Sequence, residues 1–344
     1  GMIDLHVHGA GGRSLMEGTP EAIAQVSRTL AAHGTTGYLA TDVVSRAMTD
    51  NRHLEVAAEL TGVTPEDGAE ILGIHVEGPY VNESRAGLIR KDRIWLPDLK
   101  NLEGLLKRMR GKLRMMTLAP ELPGALELMA PLRDHGAIGS LGHTEASFDE
   151  ARAGFGHGIR HVTHLYNAMR GLHHREPGAL GAVLVDHGVT TQLIADGVHV
   201  HPELLRWTAR VLSPEAMVLI TDALPSAGLP DGTYDFDGRP YVARNGTAWS
   251  ADPTNSNRLF GTALLQDDLL RRAMIFMKLS FAEVVAMATA HPAKTLGIEK
   301  ELGLLAVGRQ ANLVLWDEQF QVQQTILRGR RIFSREDSRA GSPS

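Results

Sequence analysis

The sequence predicts an α/β fold, a (β/α)8 TIM-like barrel with a small satellite β-domain. Three observations carry that expectation. Short β-branched runs alternate with longer helical patterns, which is the rhythm of parallel βα units. Eight such runs precede residue 225: Ile3–His8, Thr36–Thr41, Ile71–Glu77, Arg114–Leu118, Ala137–Leu141, Gly158–Thr163, Thr190–Ala195 and Met217–Asp222. Histidines and carboxylates gather at the ends of these runs, where a barrel of this kind keeps its reactive face.

The helical spacers have readable starts and stops. Thr19-Pro20-Glu21 supplies an N-cap, a proline suited to the first helical position and an acidic first turn. Ala22, Ile23, Val26 and Leu30 then share one face, and Gly34 closes the segment. After the eighth run the texture changes. Residues 225–256 are rich in Gly, Pro, Asn and Asp, which predicts a β-excursion, a loop or small hairpin insertion. Helical patterning returns at Thr262–Met277 and Ser280–Thr289. Alternating apolar residues between Gly303 and Phe333 predict three short strands, and 335–344 reads as a disordered polar tail. The organisation expected is a barrel over 1–300 and a satellite β-domain remnant over 301–334.

Composition narrows the class. The 344 residues are 43% hydrophobic and 22% charged, with a net charge of −5, so neither a nucleic-acid nor a membrane partner is indicated. A cytoplasmic enzyme is the default expectation, with no signal peptide before the first strand. There is no cysteine. Any metal site must therefore be built from His, Asp and Glu, a donor set suited to zinc, iron or manganese.

The first strand reads Met2-Ile-Asp-Leu-His-Val-His-Gly9. Strand alternation puts Asp4, His6 and His8 on one face, taken as inward, and Ile3, Leu5 and Val7 on the other, taken as facing the helices. A single histidine is usually a hydrogen-bonded structural residue; two on one face of a strand opening a barrel are not explained that way. His75 and Glu77 share the inward face of the third strand, His143 ends the fifth, His164 the sixth, His199 follows the seventh, and Asp222 ends the eighth. Each alone is weak evidence. Together they converge on one barrel mouth, which stability does not require.

These residues resemble the amidohydrolase superfamily: His-x-His on strand one, histidines on strands five and six, and Asp on strand eight. Several blocks are similar to the N-acetylglucosamine-6-phosphate deacetylase family within it. They include Ile74-His-Val-Glu-Gly-Pro79, Thr163-His-Leu-Tyr-Asn-Ala-Met169, Leu172-His-His-Arg-Glu-Pro-Gly178 and Ala195-Asp-Gly-Val-His199. The resemblance implies a metal-dependent hydrolase that removes the acetyl group from N-acetylglucosamine 6-phosphate. It implies Glu77, His143 and His164 as main ligands of a divalent metal, zinc first with iron or manganese as alternatives. His6 and His8 then match a second metal position, giving one or two ions per chain. Asp222 matches the catalytic acid/base. Asn167, Ala168, Arg175 and His199 match substrate contacts, with His199 holding the sugar or steadying the oxyanion. Arg175 suits a phosphate through its planar, permanently charged fork, reaching it across a homodimer interface.

Two features depart from the family. Where the family carries a histidine twelve residues after the ligand glutamate, this chain has Ile89, with Arg90 and Lys91 beside it as candidate replacements. The chain also starts almost at strand one, so the tail strands are expected to lack partners and to expose β-edges. The alternative reading keeps the superfamily and changes the substrate to another N-acylated amino sugar phosphate or an N-acyl amino acid.

Overall fold

The computed structural model describes residues 1–44, 51–186 and 188–340. Eight parallel strands form one sheet in chain order: β1 (Met2–Val7), β2 (Thr35–Asp42), β3 (Glu70–Glu77), β4 (Leu113–Leu118), β5 (Ile138–Leu141), β6 (His161–Val162), β7 (Thr190–Leu193) and β8 (Met217–Leu219). Each pairs with its sequence neighbour, and the sheet closes through a parallel bridge between Val7 and Ala223. All eight expected strands are present, the last four shorter than their sequence runs.

The helices cover the outside. Pro20–Ala32 begins as expected: the Thr19 side chain accepts the Ala22 N–H, Pro20 occupies the first turn, and Ile23, Val26 and Leu30 are buried against the sheet. Gly34, at φ 83°, takes the left-handed conformation that ends it. The helix expected from Thr262 starts only at Gln266, because Thr262 belongs to a strand. Phe281–Ala288 is capped by Ser280 and Glu283 in a reciprocal capping box.

The strand-one face assignment needs correction. Ile3 and Leu5 do not face the helices. They pack with Leu39, Met115, Ile194, Val218 and Ile220, from four other positions around the sheet, and only the barrel interior brings these together. Val7 does lie with the helix-facing core. A register irregularity between Asp4 and Val7 changes the phase of the strand, so apolar residues fill the lower interior and His6 and His8 still reach the upper one. Simple alternation cannot anticipate a bulge.

The insertion is a four-stranded antiparallel sheet: β9 (Gly232–Phe236), β10 (Arg239–Arg244), β11 (Thr247–Ser250) and β12 (Leu259–Thr262). It runs beyond residue 256, where the texture change ended. Its first two turns are Asp237-Gly238 and Asn245-Gly246, with all four residues at positive φ. That is the two-residue hairpin geometry those dipeptides favour. β12 joins the barrel through a bridge between Thr262 and Ala223.

The tail forms a three-stranded sheet of β13 (Leu313–Trp316), β14 (Val322–Leu327) and β15 (Arg330–Ser334). Its outer strands each pair with β14 alone among the described residues. Arg328 and Gly329 make the turn between β14 and β15, and Arg328 grips Glu70 of the barrel through two hydrogen bonds of 2.9 Å. The first part of the tail expected to be disordered takes a regular conformation. Arg335–Ala340 is helical, with Arg335 Nε donating to Val322 O at 2.8 Å and Asp337 paired with Arg331. Residues 341–344 lie outside those described. Among the described residues no helix is long and apolar enough to cross a membrane.

Candidate metal centre

Five of the histidines and carboxylates flagged at strand ends meet at the C-terminal mouth, together with Asp222. Two groups form: Glu77, His143 and His164, and His6, His8 and Asp222. Glu77 spans both. Its Oε1 lies 3.0 Å from the Nε2 atoms of His143 and His164 and 3.4 Å from that of His6; its Oε2 lies 3.3 Å from His8 Nε2. Asp222 Oδ1 lies 3.4 Å from both His6 and His8 Nε2. His6 and His8 present their Nε2 atoms to each other at 3.1 Å, as do His143 and His164.

The opposite ring nitrogens explain this convergence. His8 Nδ1 donates to Thr41 O (3.1 Å), His143 Nδ1 to Arg85 O (2.8 Å), and His6 Nδ1 to Gln192 Oε1 (3.0 Å). Donation from Nδ1 leaves Nε2 as a lone pair aimed inward. Paired lone pairs at about 3 Å repel unless a cation lies between them, so the donor set fits a divalent ion. The field agrees. Burial disfavours charge on His8, yet hydrogen bonds and attraction from Asp222 and Glu77 raise its pKa to about 10. A site that draws a proton this strongly draws a metal cation by the same forces. Burial likewise opposes charge on Asp222 and Glu77, and the imidazoles beside them still hold both carboxyls well below the usual range.

The backbone aims these groups. His143, His164 and Asp222 all sit just past strand ends at positive φ (48°, 30° and 51°), a conformation non-glycine residues adopt at a cost. Asp222 is held there by its N–H donating to His6 O and its C=O accepting from Thr262 N–H, at 2.9 and 3.0 Å. A β-carbon on Gly261 would come within 2.8 Å of that carbonyl oxygen. His75, on the same face as Glu77, belongs to neither group. It bonds Leu5 O and Thr117 Oγ1 and supports the wall.

A cleft of about 770 Å³, including its open side, lies over the centre. Asn167, Ala168 and His199 line it, as expected. Arg175 does not line it in its own chain; it is exposed and its guanidinium meets His174. Ile89 is buried beside Val43 and Val81. Arg90 and Lys91 do not line the cleft; Arg90 pairs with Asp92 and Lys91 with Glu83. Sequence reasoning missed three supports. Gln192 Oε1 accepts from both His6 Nδ1 and the His164 N–H. Asp196 accepts three hydrogen bonds, from His199 Nδ1 at 2.7 Å and from the N–H groups of Val198 and His199. Arg258, on the insertion, reaches the cleft. Only Asp196 had a sequence signal, standing three residues before a flagged histidine.

A parallel (β/α)8 barrel with two histidine–carboxylate groups at its mouth defines the class of metal-dependent barrel hydrolases. Comparison with known proteins makes this specific. The model of the Amidohydrolase family matches residues 1–332, and the chain belongs to that family. It is 36% identical to N-acetylglucosamine-6-phosphate deacetylase of Bacillus subtilis (strain 168), over 97% of this chain and 84% of that protein. It is 35% identical to N-acetylgalactosamine-6-phosphate deacetylase of Escherichia coli O157:H7, over 95% and 85%. Among solved structures it resembles a mutant N-acetyl-D-glucosamine-6-phosphate deacetylase from Mycobacterium smegmatis in complex with N-acetyl-D-glucosamine-6-phosphate. There the TM-score is 0.90 and the identity 32%, covering 97% and 86% of the chains.

Proposed function

We propose that this chain hydrolyses the acetamide of N-acetylglucosamine 6-phosphate, releasing acetate and glucosamine 6-phosphate. The observation that carries the reading is Asp222 facing the His6–His8 pair across the centre from Glu77, beneath a cleft of small-ligand size. A divalent ion, zinc in the first instance with iron or manganese as alternatives, would be held by Glu77, His143 and His164. A second would be held by His6, His8 and Asp222. When bound, such an ion polarises the acetyl carbonyl and acidifies water. Asp222, kept ionised by its neighbours, takes the proton from the attacking water and hands it to the departing nitrogen. His199, braced by Asp196, offers Nε2 to the substrate side of the cleft, and Asn167 and Ala168 line the floor for the sugar. We further infer a homodimer in which Arg175 serves the partner's cleft, since it is exposed and idle in its own. A phosphorylated sugar places the reaction in the cytoplasm, where such esters are retained.

The test is acetate release by protein reconstituted with zinc, iron(II) or manganese, beside Asp222→Asn. Turnover in the wild type and its loss in the variant are expected. Metal-loaded wild type without turnover would sink the assignment. A second reading, the galactosamine epimer, is favoured by the near-equal identity to the E. coli relative, and relative kcat/KM on the two sugars decides between them.

A further inference from the structure

We propose that Phe236 and Val43 shape an acyl pocket beside the metal ligands, and that Phe236 limits the group removed to a short one. The inference rests on the deacetylase reading above and deepens it, because that reading leaves the alkyl end of the acyl group unplaced.

The cleft over the metal ligands is lined by two unlike sets of side chains. Asn167, His199 and Arg258 offer polar groups. Val43, Leu88, Phe236, Leu259 and Phe260 offer only carbon. Val43 is 4% exposed and Phe236 3%, so what they show to the cleft is a small apolar spot rather than an open face. The Phe236 ring stands edge-on to the ring of His8, with centroids 5.4 Å apart. That contact places the spot against the metal groups and not at the outer rim.

Three separate segments build it. Phe236 ends β9 and belongs to the insertion's own core, with Leu224, Tyr241, Ala243 and Ala248. Val43 follows β2 and packs with Val81 and Ile89. Met16, from the loop after β1, packs against both clusters and joins them. Ile89 fits this arrangement. Standing where the family carries a histidine, it backs Val43 with carbon, and no buried polar ring needs a partner there.

The chemistry of an amide sorts its substituents. The carbonyl carbon carries an oxygen, a nitrogen and an alkyl group in one plane. The oxygen turns to the cation-binding groups, and the nitrogen must come within reach of Asp222, with the hydroxylated sugar beyond it. The alkyl group takes the third direction. Having no polar atom, it gains most by burial against Phe236 and Val43. Neither residue yields easily: Phe236 is held in the insertion core, and the β-branched Val43 has few rotamers. A longer acyl chain must displace a packed ring or turn the carbonyl from its place. One methylene in such a pocket is worth about 10- to 200-fold in kcat/KM.

The test compares metal-loaded wild type, F236A and V43A on glucosamine 6-phosphate carrying acetyl or butyryl on its nitrogen. Wild type should favour acetyl by more than about 10-fold in kcat/KM. In F236A the butyryl-to-acetyl ratio should rise by about 10-fold or more, and V43A should shift it in the same direction. V43A leaves the insertion core intact, so it decides the matter if F236A does not fold. Equal turnover of the two amides by wild type, or a ratio unchanged in the folded variants, overturns the proposal. Acetate and butyrate binding to the same proteins, followed by calorimetry, separates the pocket from the reading beneath it. If wild type turns over neither amide, the deacetylase reading has failed. The pocket then stands if wild type binds acetate more tightly than butyrate and a folded variant narrows the gap. It falls if the two acids bind wild type alike or the gap is unchanged in the variants.

Discussion

Asp196→Asn should disable His199 without touching any metal ligand. Asp196 is 1% exposed and makes three contacts: Oδ1 accepts the Val198 and His199 N–H groups at 2.9 and 2.8 Å, and Oδ2 accepts from His199 Nδ1 at 2.7 Å. The last contact requires the proton on Nδ1 and so leaves Nε2 free to accept on the cleft side. Asparagine can keep both backbone contacts through its oxygen. It then presents an amide N–H to Nδ1, where two donors meet. The ring must shift its proton to Nε2 or swing away. The interaction lost is one charge-assisted hydrogen bond in a dry setting, about 1.5–3 kcal/mol. At about 1.4 kcal/mol per decade this is about a 10- to 150-fold fall in kcat/KM. Steady-state kinetics on the acetylated sugar phosphate, with metal content measured on the same samples, provide the assay. A variant within threefold of wild type would refute the reasoning. So would a loss of activity that simply tracks lost metal.

Two further outcomes follow from the structure. Glu77→Gln keeps the shape but removes the charge that lies 3.0 Å from both His143 and His164. Metal affinity should fall by more than the roughly 10- to 100-fold seen when a residue merely supports a ligand, and full metal retention after dialysis would contradict the assigned role. Asp267, 2% exposed, accepts from His33 Nδ1 at 2.8 Å and Arg271 at 3.1 Å. Burial opposes its charge, but the His33 contact and Arg271 leave its carboxyl below the ordinary value. A depressed carboxyl contributes stability in full above its unfolded pKa of about 4 and loses it as pH falls through the folded value. Asp267→Asn should therefore cost about 1–3 kcal/mol in urea unfolding at neutral pH. The difference from wild type should close under strong acid; a gap that persists there would show that packing, not charge, is responsible.

The sequence by itself determined the barrel and named the histidines and carboxylates that gather at its mouth. Strand periodicity and strand-end chemistry are local properties, and the residues at those ends can be named without knowing how the strands meet. The hairpins of the insertion were equally local: Asp237-Gly238 and Asn245-Gly246 announce their turns. What only the tertiary structure decided was everything that depends on who stands opposite whom. The irregularity in β1 reverses the facing of Ile3 and Leu5, and a bulge depends on the partner strand as much as on its own residues. Gln192 supports His6 and His164 across the barrel interior, with no spacing rule linking their positions. Arg258 reads as an ordinary loop arginine until the insertion folds over the mouth. The pairing of Arg90 with Asp92 and of Lys91 with Glu83 likewise has no spacing rule that fixes it in advance. The fate of a charge is set by its nearest opposite charge, and that neighbour is chosen by the fold.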